Sequence, residues 1–190
     1  MIYSYAPFLF KGDMMKKENI WLIISILLVI IWMVSVFKLS GEVSEVSGNR
    51  SGGVISSIIK MFNSDISEEK LDNLTKELQP IIRKIAHFLL YSLGGFLIYN
   101  LIYIILRKYG YIKNIVISIL CGVFYAITDE IHQLFVPGRS GEIRDVFIDT
   151  LGVIFGTLMY YLIISFLVKR IFNQKSKIMS TNADKNMNVI

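Results

Sequence analysis

The sequence predicts an all-α membrane protein with four transmembrane helices and a helical extracytoplasmic loop between the first two. Hydrophobic residues make up 54% of the 190 positions and charged residues only 18%, and the mean hydropathy is +0.55. Ordinary soluble domains do not have this composition. The apolar residues are also gathered into four segments, each near the ~20 residues that a helix needs to cross a bilayer.

The four apolar segments are the candidate membrane spans. They comprise residues 20–37, 85–106, 115 to about 135, and 146–168. The first follows Lys16 and Lys17, as a secretory signal would, but its 18 residues are more than a usual signal core contains, and we expect an uncleaved anchor. The predicted domains are an N-terminal cytoplasmic segment over residues 1–19, a transmembrane domain over residues 20–168, and a polar, disordered cytoplasmic tail over residues 169–190.

The loop between the first two spans is predicted to contain two short helices. Residues 47–53 read Ser-Gly-Asn-Arg-Ser-Gly-Gly, which indicates a flexible turn. Helices are predicted over residues 53–62 and 67–78, the second with Ser67 as its N-cap. The second helix has an apolar stripe formed by Leu71, Leu74 and Leu78. Such a helix suits a membrane surface or the top of a helix bundle, and a plain connector is the alternative.

Basic residues near the spans predict the orientation of the chain. Short flanks that carry Lys and Arg are retained preferentially in the cytoplasm. The flanks before the first span, between the second and third, and after the fourth lie on one side and are the more basic. We therefore expect both termini in the cytoplasm.

Ionisable side chains gather where three of the spans meet the opposite side. The apolar part of the third span, residues 115–128, covers about 21 Å, so crossing ~30 Å of hydrocarbon brings Asp129 and Glu130 to the edge of the apolar layer or into it. Ionisable groups at this depth mark cavities or pathways. The candidate ligand-binding residues are Arg83, His87, Tyr91, Asp129, Glu130, His132, Gln133, Arg139, Asp145 and Asp149.

Helical spacing predicts which faces these side chains occupy. Residues three, four or seven apart share one face of a helix, which places Asp149 on the side of Gly152 and Gly156. Small residues at this spacing let membrane helices approach closely. Close packing at this seam would turn the carboxylate into the bundle. Asp129 and Glu130, being adjacent, diverge by about 100° and cannot form a close carboxylate pair.

Three blocks of sequence combine these residues in an unusual order. They are Arg83-Lys-x-x-His-Phe-x-x-Tyr91, Asp129-Glu-x-His-Gln-x-Phe-Val-Pro-Gly-Arg139 and Asp145-x-x-x-Asp149-x-x-Gly152-x-x-x-Gly156. Together they resemble the VanZ-like family of bacterial integral membrane proteins, over about residues 20–168. The resemblance implies the bacterial cytoplasmic membrane and a role in resistance to teicoplanin-type lipoglycopeptides. The implied partners are membrane lipids and a lipid-linked cell-wall precursor or the lipoglycopeptide itself. The resemblance supplies no reaction.

Several interpretations of the site stay open. In one, the protein binds or screens a lipid-linked precursor without catalysis. In another it is a membrane hydrolase or transferase, whose candidate catalytic residues are His87, Glu130, His132 and Asp149. In a third the protein is a small transporter, a flippase subunit or a partner protein, and the acids relay protons or form a contact surface.

Arg139 is the sharpest candidate for binding an anion. It lies in a predicted tight turn, Val-Pro-Gly-Arg-Ser over residues 136–140, and a guanidinium can grip a phosphate or carboxylate with two hydrogen bonds. The structural alternative is an ion-pair network between the acids and Arg83, Arg139 and Arg144.

Other classes of site and partner find little support in the sequence. The formal charge is +5, but the basic residues are scattered, so no nucleic acid is expected. No metal is expected either, because no standard ligand spacing such as His-Glu-x-x-His is present. We expect no cofactor, and the single cysteine, Cys121, cannot form an intrachain disulfide.

Overall fold

The computed structural model describes residues 11–106, 109–139 and 141–187, and over these residues it contains five helices and no strand. The helices are α1 (Lys11–Ser40), α2 (Ser44–Phe62), α3 (Glu68–Ile105), α4 (Tyr111–Gln133) and α5 (Ile143–Met187). All but α2 contain a candidate membrane span, and the spans are Asn19–Ser40, Glu68–Ile105, Tyr111–Gln133 and Ile143–Arg170. The predicted fold class is therefore confirmed. The first ten residues of the predicted N-terminal segment, Ser140 of the predicted turn and the last three residues lie outside the described residues.

The two central helices, α3 and α5, approach each other through glycine. A Cβ atom added to Gly152 would lie 2.5 Å from the carbonyl oxygen of Phe88. One added to Gly156 would overlap the carbonyl oxygen of Ser92. The backbones are thus in direct contact, as the small-residue seam predicts, and the N-terminal part of α5 is held against α3.

Helix α1 packs against α3 and α4, with polar and aromatic contacts to each. Trp32 donates its indole N–H to the carbonyl oxygen of Leu90 over 2.9 Å and meets Tyr91 edge to face, with ring centroids 5.8 Å apart. The Tyr125 hydroxyl on α4 donates to the carbonyl oxygen of Met33 over 2.6 Å. Most other large side chains of α1 are exposed at the protein surface, which is the surface that faces lipid in a membrane.

The loop between the first two spans differs from its prediction. Helix α2 begins at Ser44, so the flexible turn expected over residues 47–53 is wrong. The side-chain amide of Gln79 on α3 donates to the carbonyl oxygen of Gly48 over 2.8 Å and to the Ser51 hydroxyl over 3.0 Å. These tertiary contacts hold a Gly- and Ser-rich stretch in a helix that its low propensity alone would not favour.

The second predicted loop helix and the second span form one continuous helix. Ser67 lies at the N-cap of α3, as predicted, although its side chain makes no capping hydrogen bond. The helix continues through Pro80, which lies between the predicted loop helix over residues 67–78 and the predicted span over residues 85–106. Proline removes one backbone hydrogen bond, and Pro80 is exposed beside a cavity, so water can solvate the freed carbonyl. With 38 residues, α3 is about 57 Å long and extends well beyond the hydrocarbon layer.

Helix α5 also extends further than the predicted transmembrane domain. It continues to Met187, through most of residues 169–190, for which the sequence predicts a disordered tail. This stretch contains neither proline nor glycine to end a helix. The limits of the three domains stay a prediction.

Candidate functional site

One end of the bundle contains a basic cavity of about 610 Å³, bordered by α2, α3 and the start of α5. Its ionisable lining residues are Arg83, Lys84, His87, Arg139, Glu142, Arg144 and Asp145. Four of these side chains are basic and two are acidic, so the cavity has an excess of positive charge at neutral pH. The three polar helix ends that the sequence placed on one side do converge.

Three of the basic side chains in the cavity lack an acidic partner. Among the side chains that the structure describes, no carboxylate lies within 4 Å of the charged groups of Arg83, Lys84 or Arg144. The ion-pair network offered as the structural alternative is therefore not found in this part of the chain. Unpaired guanidinium and ammonium groups in a concave site are suited to bind a phosphate or carboxylate.

Arg139 instead joins the turn after α4 to the end of α1. Its Nε donates to the carbonyl oxygen of Glu42 over 2.9 Å, its Nη2 to that of Leu39 over 3.2 Å, and its Nη1 to Gln133 Oε1 over 3.3 Å. Burial, followed by the nearby charge of Arg83, lowers the pKa of the Arg139 guanidinium. Arginine titrates far above neutral pH, so the group stays charged. With three donors committed, Arg139 has fewer N–H groups left for a ligand than the sequence suggested.

The predicted turn that positions Arg139 is present. The backbone N–H of Arg139 donates to the carbonyl oxygen of Val136 over 3.1 Å, and Gly138 adopts a φ of 76°. Only glycine takes this left-handed conformation without a steric penalty. Gly138 therefore fixes the direction in which the next side chain leaves the turn.

Asp129 lies at the centre of a buried hydrogen-bonded group that we call the Asp129 cluster. Its Oδ2 accepts hydrogen bonds from the Ser40 hydroxyl (2.7 Å), the Tyr91 hydroxyl (3.0 Å) and the Gln133 amide (3.4 Å). The cluster therefore connects α1, α3 and α4. Asp129 is 3% exposed and does not line the basic cavity. Its contact with the cavity is indirect, through Gln133 and Arg139.

Two predicted site residues point away from the basic cavity. Glu130 is 7% exposed, and its Oε1 accepts the backbone N–H of Glu142, just before α5 begins. His132 stacks on Phe37 of α1, with ring centroids 4.0 Å apart and an interplanar angle of 20°. Neither side chain lines the cavity, so Glu130 and His132 are separated from the rest of the candidate catalytic set.

The other two candidate catalytic residues do come together. His87 lines the cavity, and its Nδ1 lies 3.4 Å from Oδ1 of Asp149, although the two groups are not aligned as a hydrogen bond. Asp149 is fully buried. Asp145 lies one helical turn earlier on α5 and also lines the cavity. The ring of His87 thus separates a buried carboxylate from an open, positively charged space.

Some residues of the site were not among the predicted set. Lys84 and Arg144 line the cavity, and Ser40 donates to Asp129. Lys84 and Arg144 are basic residues directly next to Arg83 and Asp145 in the sequence, so their adjacency to predicted site residues was an available signal. The contact of Ser40 with Asp129 could not be predicted from local spacing, because the two residues lie 89 positions apart. No group of three or more metal-ligating side chains suited to a metal ion occurs among the described residues.

Comparisons with known proteins identify one similarity. A family model described as VanZ/LLP1 matches residues 25–165, a range that includes the basic cavity, the Asp129 cluster and the His87–Asp149 pair. No curated protein and no solved structure matches the chain.

Proposed function

The chain belongs to the VanZ-like family, and from this premise we propose that it binds the anionic head group of a lipid-linked cell-wall precursor in the basic cavity. The observation that carries this proposal is the set of three basic side chains, Arg83, Lys84 and Arg144, that lack a carboxylate partner among the described residues. In the bacterial cell envelope, the ligand class that best matches several unpaired cations at a membrane boundary is a lipid-linked phosphate or pyrophosphate.

The chemistry of the cavity supports such a ligand. Arginine presents its N–H donors in a planar fork that matches two phosphate oxygens, and lysine adds a compact positive charge. Hydrogen bonds between charged groups are about twice as strong as neutral ones. The volume of about 610 Å³ lies within the range of small-molecule sites and leaves room for a pyrophosphate with an attached sugar.

The position of the cavity supports a lipid-linked ligand in particular. The cavity lies where α4 has ended and α5 begins. Its walls include residues of α3 and of the segment that joins α4 to α5. This is the level at which lipid head groups lie in a bilayer. A precursor could place its anionic group in the cavity while its hydrocarbon chain stays among the surrounding lipids.

This binding would account for a role in resistance to lipoglycopeptides of the teicoplanin type. These antibiotics act on cell-wall precursors outside the membrane, and a precursor held in the cavity would be less accessible to them. The role requires the cavity to face the outside, which corresponds to both termini being cytoplasmic.

Binding is tested with labelled undecaprenyl pyrophosphate and the full chain in nanodiscs. Removal of a charged hydrogen-bond donor costs about 1.5–3 kcal/mol, so Arg83→Ala and Arg144→Ala are each expected to weaken binding by about 10- to 100-fold. Arg50→Ala is the matched control, because Arg50 lies on α2, pairs with Glu42 in the turn before that helix, and does not line the cavity. Arg50→Ala should leave the affinity within about twofold.

The uncharged alcohol undecaprenol distinguishes head-group recognition from general lipid binding. Equal affinity for undecaprenol and the pyrophosphate would contradict the proposal, as would an Arg50→Ala variant that loses binding as strongly as Arg83→Ala. Teicoplanin added alone tests the other predicted partner. If it bound the protein directly through Arg83 and Arg144, the antibiotic would replace the precursor as the ligand.

A further inference from the structure

We propose that His87 and Asp149 give the basic cavity a hydrolytic activity toward the phosphoanhydride bond of a lipid-linked pyrophosphate. This activity rests on the proposed function, because the same cavity must first bind the pyrophosphate. It extends that function from holding the head group to cleaving it.

The geometry leads to this pair and excludes the other candidates. The chain contains two histidines, and only His87 lines the cavity, whereas His132 stacks on Phe37. Glu130 binds the backbone at the start of α5. The described residues therefore provide one imidazole in the cavity, with one buried carboxylate, Asp149, directly behind it.

The facing polar atoms of His87 and Asp149 form no hydrogen bond with any other described residue. Neither oxygen of Asp149 nor the Nδ1 of His87 has a hydrogen-bond partner among the described residues, and the two groups lie 3.4 Å apart. Burying a carboxylate without a partner is unfavourable. A small rotation of the imidazole would complete the bond, and hydrogen bonds of this kind are often long before the substrate is bound.

The cationic side chains are arranged around the imidazole. Arg83 and Lys84 precede His87 by four and three residues on α3, so all three side chains lie on the same face of the helix. Arg144 reaches the cavity from the start of α5. A pyrophosphate held by these side chains would lie beside His87, where its bridging bond is open to attack by water.

The reaction requires no redox partner and no group from outside the site except water. With Nδ1 directed at Asp149, Nε2 is the nitrogen available to the cavity, and it accepts a proton from water. The water oxygen forms a bond to the terminal phosphorus as the bond from that phosphorus to the bridging oxygen breaks. The bridging oxygen leaves with the electron pair on the lipid monophosphate, inorganic phosphate is released, and His87 returns its proton to solvent.

Each group has a distinct part in this step. His87 is the catalytic residue, because it exchanges a proton with the reacting water. Asp149 is a positioning residue that holds Nδ1 and thereby fixes which nitrogen faces the substrate. Arg83, Lys84 and Arg144 offset the negative charge on the phosphate oxygens as the bond breaks.

The test measures phosphate release from farnesyl pyrophosphate, a short isoprenoid pyrophosphate, by the full chain in detergent. His87→Asn keeps a donor toward Asp149 but removes the base, and we expect at least a 100-fold loss of rate. Asp149→Asn should lower kcat by about 10-fold or more while KM stays within about twofold, because the cavity that binds the substrate is unchanged. His132→Asn is the matched histidine control and should retain the rate within about threefold.

Binding is measured separately with farnesyl methylenebisphosphonate, in which carbon replaces the bridging oxygen. If the wild type and His87→Asn both bind this probe and only the wild type releases phosphate, the activity is supported. If the wild type binds it but releases no phosphate, or His132→Asn loses as much rate as His87→Asn, the hydrolytic inference is overturned and the proposed binding function stands. If the wild type neither binds nor releases phosphate, both are overturned.

Discussion

At the scale of single residues, the Asp129 cluster shows what a buried carboxylate does in this bundle. One carboxylate oxygen of Asp129, Oδ2, accepts hydrogen bonds from side chains on α1, α3 and α4. The Asp129 side chain therefore connects elements that are far apart in the sequence. A buried acceptor of this kind is costly to remove, because its donors are then left without partners. We therefore assign Asp129 to stability more than to ligand binding.

Asp129→Ala is expected to destabilise the protein by about 3 kcal/mol, since it leaves the donors from Ser40, Tyr91 and Gln133 unsatisfied. Thermal unfolding in detergent measures this effect. The matched control is Asp72→Ala, in which an exposed aspartate loses its pairing with Lys76, worth about 0.3–0.5 kcal/mol. If both variants unfolded at the same temperature, the assignment of Asp129 to stability would be wrong.

Arg139 makes a second testable contribution at this scale. Its three hydrogen bonds leave from three different guanidinium nitrogens, and the single nitrogen of a lysine cannot reach all three acceptors. Arg139→Lys should therefore lower the free energy of unfolding by about 1–3 kcal/mol. Arg144→Lys, at a cavity residue without such bonds, should unfold like the wild type. The reverse ranking in a thermal unfolding experiment would refute this role for Arg139.

The candidate site could be predicted from the sequence only in part, and individual residues show why. Helical spacing predicted the inward direction of Asp149, because that direction depends on position along one helix. Helical spacing did not predict that His87 lines the basic cavity and His132 does not. Both lie near the same polar end, but His132 packs on Phe37 of α1, and the position of α1 around the bundle is set by tertiary contacts that no local pattern encodes.

At the scale of secondary-structure elements, the α3–α5 contact determines where the site forms. The glycines at this crossing let the backbones touch, and the same contact brings Asp149 of α5 behind His87 of α3. The geometry of the His87–Asp149 pair is therefore a consequence of close helix packing.

Gly156→Ala is expected to destabilise the bundle by about 1–3 kcal/mol, because the added methyl group overlaps the carbonyl oxygen of Ser92 and the backbones must separate. Gly53→Ala is the matched control on α2, where an added Cβ meets nothing within 4 Å. Alanine favours a helix over glycine by up to about 1 kcal/mol, so this variant should be neutral or slightly more stable. Thermal unfolding measures both variants. If Gly156→Ala were more stable than Gly53→Ala, the close-packing account would be contradicted.

The segment between the first two predicted spans was the least predictable part of the fold. Residues 47–53 resemble a turn by composition, and Pro80 resembles a helix boundary, yet both lie within helices. The amide of Gln79 holds the first stretch in place. Local rules for glycine and proline describe an isolated chain, and here the packing of α2 against α3 overrides them. The four spans were predictable because the bilayer demands length and apolarity from each segment separately.

At the scale of the whole molecule, the orientation of the bundle decides which ligands the basic cavity can meet. The turn between α2 and α3 lies at the same end as the cavity, and the turn between α3 and α4 lies at the other end. A cavity on the outer face meets precursors that the antibiotic also binds. A cavity on the inner face meets only their cytoplasmic forms.

Cysteine labelling in intact cells tests this orientation. In a Cys121→Ser background, we expect Ser64→Cys to react with a membrane-impermeant thiol reagent, because Ser64 is exposed in the turn between α2 and α3. Tyr109→Cys, exposed in the turn at the opposite end, should react only after lysis. The opposite pattern would place the cavity in the cytoplasm and exclude the proposed protection of precursors from the antibiotic.

The sparse contacts of α1 have a consequence for how the protein is made. The acceptors that anchor this helix, Leu90 for Trp32 and Asp129 for Ser40, lie 58 and 89 residues further along the chain. At ordinary rates of translation they reach the membrane on the order of ten seconds later. During that interval α1 is a solitary helix in lipid, and its apolar surface makes it stable there. Assembly then consists of the later helices docking onto a helix that is already inserted.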